Sequence, residues 1–127
     1  MIQILIASTD KDSLSELKAG LEEDDVQITW VESCENVLTK VKSEKFDLII
    51  TGEELSDKKG LECIRMLVSQ NPMLNCAAVS SLSHDDFHEA SEGLGILMQL
   101  PVRPAIEDAE KLLEHLKTII NLTKRTP

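Results

Sequence analysis

Short apolar runs alternating with stretches of helical periodicity predict an α/β sandwich built on a parallel sheet. Two features carry that expectation. The runs at Met1–Ala7 and Phe46–Ile50 are nearly continuous in apolar residues, as strands covered on both faces are. The runs also alternate strictly with helical patterns, five of each, and such chains join parallel strands through right-handed crossovers.

Taken in order, Ile2, Ile4, Leu5 and Ile6 make a buried first strand, closed by the turn Ser8–Asp12. Ser13 and Glu16 fit a capping box, and Leu14, Leu17 and Leu21 then mark one helical face to about Glu23. Asp24-Asp25 breaks that helix. Val26, Ile28 and Trp30 alternate in a second strand. A second helix runs from about Cys34 to Ser43, with Val37, Leu38 and Val41 inward. After the third strand, a third helix stops at Asn71-Pro72, since proline cannot continue it. Asn75–Ser80 is a short fourth strand of small residues. A fourth helix over Ser83–Glu92 is capped by Ser83 or Asp85 and ended by Gly93. Ile96–Leu100 is the fifth strand, ended by Pro101, and Ile106–Leu122 the last helix. The 127 residues read as one domain with no internal repeat.

Composition narrows the function classes. A net charge of -10 repels polyanions and argues against nucleic acid or anionic membrane as a partner. No signal segment or membrane-length apolar run is present. Cys34, Cys63 and Cys76 are odd in number and lack metal-ligand spacing, which reads as reduced structural thiols in a cytoplasmic protein. With Trp30, Phe46 and Phe87 the only aromatics, the core must be aliphatic.

The stretch Phe46–Gly60, FDLIITGEELSDKKG, organises the functional reading. Its strand ends at Thr51-Gly52, an acidic pair Glu53-Glu54 follows, and Gly60-Leu61-Glu62 opens a helix. In open parallel sheets the chemistry sits just past the carboxyl end of such a strand. This stretch resembles the receiver domain of bacterial two-component response regulators, the chemotaxis-regulator-like kind. Gly60-Leu61-Glu62, Gly93, Pro101 and Pro104 fall in register with it, and the resemblance covers essentially the whole chain. It implies a flavodoxin-like doubly wound sheet in the order 2-1-3-4-5, helices on both faces.

The resemblance also implies a place for each part of a phosphoryl-transfer site. Such a site needs carboxylates for Mg²⁺, an acceptor aspartate, a hydroxyl and a lysine. The phosphoacceptor position falls at Gly52 and the acidic pair at Ser8 and Thr9, with Asp10 one place late. The switch hydroxyl falls at Ser80, the lysine at Leu100, the switch aromatic at Leu97, and Pro101 is the expected cis-proline. With Ser8, Thr9, Gly52 and Leu100 all non-ionic, the expectation is a degenerate site, a pseudo-receiver that is not an enzyme, holds no Mg²⁺ or other cofactor, and signals through protein contacts. Its partner would be a histidine kinase or another regulator. Two rival readings stand beside it: phosphorylation at an unusual residue such as Glu53 or Ser80, and a domain excised from a longer regulator, with Lys124–Pro127 leading into a linker.

Other residues carry bland readings. Asp10 and Glu53, with Glu54, are weak candidates for a substitute cation site and read first as a solvated acidic rim. Asp47 lies at the start of the third strand, far from its carboxyl end. His84 and His88 lie one turn apart without a third ligand, and His115 sits among charged neighbours. Cys63 reads as core. Asn121-Leu122-Thr123 matches a glycosylation triplet that has no meaning without secretion. The last helix has a wide apolar arc. Its Leu112 and Ile119 edge is expected to be the less buried one, marking a homodimer or partner surface on the face of helix four, strand five and helix five.

Overall fold

The computed structural model describes residues 1–124. Its elements alternate as the sequence predicts: β1 (Ile2–Ala7), α1 (Ser15–Leu21), β2 (Val26–Val31), α2 (Cys34–Ser43), β3 (Leu48–Thr51), α3 (Gly60–Gln70), β4 (Cys76–Val79), α4 (His84–Ala90), β5 (Met98–Leu100) and α5 (Ile106–Lys124). The strands form one parallel sheet in the order β2-β1-β3-β4-β5. Both faces are covered. Alternate residues of β1 show how: Ile4 and Ile6 join Leu17, Leu21, Leu112 and Leu116 under α1 and α5, while Leu5 and Ala7 join Val37, Cys63 and Ile64 under α2 and α3. Every residue of β3 is buried, which is why that segment reads as an unbroken apolar run. In such a sheet all helices start at the carboxyl ends of the strands, so the loops after β1, β3, β4 and β5 converge there.

Local structure departs from the sequence reading at two places. The capping box at Ser13 does not form: α1 begins at Ser15, and the Ser13 hydroxyl donates instead to the Asp10 carbonyl at 3.2 Å. The caps that do form are Ser33, accepting from Asn36 N–H at 3.0 Å, and Ser83, accepting from Asp86 N–H at 3.1 Å. The fifth strand is shorter than expected: the regular ladder starts at Met98, with Leu97 N–H donating to the Cys76 carbonyl just ahead of it.

The Leu112 and Ile119 surface is a correction. Leu112 has no exposed area and sits in the core with Leu113 and Leu116, and Ile119 is half-buried, whereas Ile106 on the opposite edge is 44% exposed. The helix is rotated towards α1 because Leu17, Leu21 and the floor of β1 and β3 face it from beneath, and a wide apolar arc serves that deep seat. The terminal segment 125–127, read as a linker start, lies outside the described residues. Truncating Leu112 to Ala is expected to cost about 2–5 kcal/mol, as buried leucines do. Urea denaturation followed by circular dichroism checks this, with sedimentation unchanged at native conditions.

Candidate functional site

The carboxyl ends of β1, β3 and β4 bring Ser8, Thr9, Gly52 and Ser80 together, as the sequence places them. Their chemistry is that of hydroxyls and backbone. Ser8 is 3% exposed, and its Oγ accepts from Asp10 N–H at 3.0 Å. Thr9 is exposed, its hydroxyl 3.4 Å from the Glu54 carbonyl. Gly52 is buried and donates its N–H to the Ala7 carbonyl at 2.7 Å, which extends the β1–β3 pairing past the last strand residue. A β-carbon added at Gly52 would stand 2.7 Å from Ser8 Oγ and 3.0 Å from Ser8 Cβ. The Gly60 α-carbon closes the other side, where an added β-carbon would meet the Gly52 carbonyl and Thr51 Oγ1. The Thr51 hydroxyl itself is buried with no hydrogen-bond partner.

Two carboxylates nearby, those of Glu53 and Asp10, accept hydrogen bonds. Glu53 Oε2 accepts from both the N–H (2.6 Å) and the hydroxyl (2.7 Å) of Ser81, a clasp between the ends of β3 and β4. Asp10 Oδ1 accepts from Ser13 N–H at 3.1 Å. Among the described residues, no three His, Cys, Asp or Glu side chains converge as metal ligands would. Asp47 accepts from Gln3 N–H at 2.8 Å, at the opposite end of the sheet. His84, His88 and His115 are exposed.

Ser80 Oγ accepts from Leu82 N–H at 3.1 Å, and Ser80 N–H donates to the Leu100 carbonyl at 3.0 Å. Leu100 has no exposed area and points into the core with Ile4, Ile50 and Ala109. Leu97 packs against the same cluster. The peptide bond before Pro101 is trans, a correction to the expected cis-proline: there is no cis peptide bond among the described residues. Pro101 leaves the strand exposed, and the ordinary trans preference of about 0.5–1 kcal/mol holds.

The cysteines are a further correction. Cys34 and Cys63 are joined in a disulfide, their α-carbons 5.5 Å apart, and only Cys76 among the three is free. Sequence spacing hides the pair, because the residues lie 29 positions apart and meet only when α2 and α3 start side by side on one face. Burial in β4 pushes the Cys76 thiol up to about 12.

Asp57 was also hidden. From the loop between β3 and α3 its two carboxylate oxygens accept from Cys34 N–H at 2.7 Å and Glu35 N–H at 3.1 Å, so it caps α2 from a distance. Ser56 N–H adds a bond to the Glu32 carbonyl at 2.9 Å. No local signal marks this cap, whereas Ser33 three residues before Asn36 is a readable one.

The family model for the response regulator receiver domain matches residues 4–101. This chain belongs to that family. Its fold is similar to a two-component response regulator from Clostridium difficile (24% identity, TM-score 0.81, covering 95% of this chain and 99% of that one). It is similar also to a CheY-like receiver domain protein from Methanospirillum hungatei JF-1 (20%, 0.78, 100% and 99%) and to the chemotaxis response regulator CheY4 of Vibrio cholerae (15%, 0.78, 91% and 98%). No curated protein sequence matches it. This receiver domain thus has its sheet order and the loop cluster at the strands' carboxyl ends, with no helix among the described residues long and apolar enough to cross a membrane.

The hydrogen bonds from Cys34 N–H, then from Glu35 N–H, hold the Asp57 carboxyl below its usual range. A depressed carboxyl adds stability above its unfolded value and loses it as pH falls through the folded one. Asp57→Ala is therefore expected to lower the urea midpoint at neutral pH, with the gap from the parent closing as pH falls below about 4. Paired urea titrations across that range check it.

Proposed function

We propose that this chain is a pseudo-receiver of bacterial two-component signalling, acting in the cytoplasm through protein contacts and taking no phosphoryl group of its own. The observation that carries this is the contact at Gly52. Acyl-phosphate chemistry needs a carboxylate nucleophile at the end of β3, and Gly52 offers no side chain. The Ser8 hydroxyl would stand 2.7 Å from the first atom of any side chain placed there. The other parts agree. Ser8 and Thr9 offer hydroxyls where Mg²⁺ would call for carboxylates, and Mg²⁺ has no part in this reading. At the lysine position, Leu100 lies in the core and offers no charge to a transferred phosphoryl group.

Glu53 is exposed on the loop after β3 with its Oε2 tied to Ser81, a poorer place for an acceptor than the strand end itself. With no nucleophile activated, the chain works as a binding module and not as an enzyme. Its acidic surface suits a protein partner, a histidine kinase or another regulator, better than nucleic acid.

Incubation with acetyl phosphate and Mg²⁺ is expected to leave the intact mass unchanged. Gly52→Asp alone is expected to stay unmodified and to lose about 1–3 kcal/mol from overpacking against Ser8. Prompt mass spectrometry and urea denaturation check both. A phospho-adduct on the parent chain at Ser8, Glu53 or Ser80 would overturn the reading.

A further inference from the structure

We infer that Cys34 and Cys63 form a reversible thiol switch that holds or releases the loop between β3 and α3. The inference is independent of whether this receiver accepts phosphate. Cys34 is the first residue of α2, and Cys63 lies one turn into α3, so the bond joins two helix starts on one face of the sheet. The loop from Glu53 to Lys59 is fastened at the same place. Asp57 caps Cys34 and Glu35, Ser56 N–H reaches the Glu32 carbonyl, and Cys63 N–H donates to the Lys59 carbonyl at 3.1 Å. A covalent tie and a set of hydrogen bonds therefore close around one loop, the one that carries Glu53 to the mouth of the site.

Reduction removes the covalent tie between the two helix starts. The Asp57 cap on Cys34 and Glu35 and the Ser56 bond to the Glu32 carbonyl then hold the loop without it, so the loop opens more often.

The reductant is a dithiol, either a protein or a small molecule. One of its thiolates attacks a sulfur of the Cys34–Cys63 bond. That bond breaks, and a mixed disulfide forms as the other cysteine leaves and takes up a proton. The second dithiol sulfur then displaces the first cysteine. Two hydrogens have passed to Cys34 and Cys63, and the reductant carries the new disulfide. Both cysteines have no exposed area, so attack proceeds through opening of the loop. The helices stay docked afterwards, since Val37, Ile64 and Leu67 pack them to the sheet without the sulfurs.

The test uses the full chain equilibrated in oxidised and reduced dithiothreitol. Quenching with N-ethylmaleimide in denaturant should label Cys76 alone in the oxidised protein and all three cysteines in the reduced one, reversibly. Amide hydrogen exchange at Cys34, Glu35 and Ser56 should quicken by about tenfold or more on reduction, with Ile6 and Ile50 unchanged. Cys34→Ala/Cys63→Ala should exchange like the reduced parent in both buffers. If that variant fails to fold, Cys63→Ala alone gives the same comparison. Three labelled thiols under every condition, equal exchange in both states, or global unfolding on reduction would each overturn the switch.

Discussion

The tight closure of β3 against its neighbours is the constraint on which the rest of this site depends. At Gly52 the chain bonds back to Ala7, Ser8 leans over it, and the α-carbon of Gly60 lies against its carbonyl. A side chain at Gly60 would meet the Gly52 backbone, and one at Gly52 would meet the Ser8 side chain. The cost of opening that contact falls on the β1–β3 pairing and on the start of α3 together. A glycine at 52 is therefore more than a missing nucleophile. It lets the strand end, the Ser8 side chain and the α3 start share one place.

The same closeness explains where charge is found and where it is not. Leu100 and Leu97 extend the aliphatic core under α5 and β5 up to the site, so the position after β5 offers no charge. The carboxylates at the mouth take hydrogen bonds from backbone and hydroxyl donors: Glu53 from Ser81 and Asp10 from Ser13. On the other face, Asp57 and the Cys34–Cys63 bond tie the loop after β3 to α2. The loop is fixed at the β4 side by Glu53 and at the α2 side by Asp57.

The fold was legible in the sequence because burial on both sheet faces leaves continuous apolar runs such as Leu48–Ile50, and because the leucines of α1 and α5 repeat at helical spacing. The convergence of Ser8, Thr9, Gly52 and Ser80 followed from the position of strand ends. What was illegible depends on contacts distant in the chain. The pairing of Cys34 with Cys63 and the Asp57 cap need α2 beside α3. The rotation of α5 is decided by what lies beneath it, so an apolar arc alone could not tell that Leu112 is buried and Ile106 exposed. Ser13 lost its cap to Asp10, a local competition that spacing does not rank.

The most direct measurement of the closed site is a nitrogen-15 NMR titration with Mg²⁺ and beryllium fluoride, which mimics a carboxyl-bound phosphoryl group. The amides to follow are Thr9, Gly52, Glu53 and Ser80. No saturable shift is expected at these amides at millimolar Mg²⁺. A saturable, Mg²⁺-dependent shift confined to them would contradict that expectation.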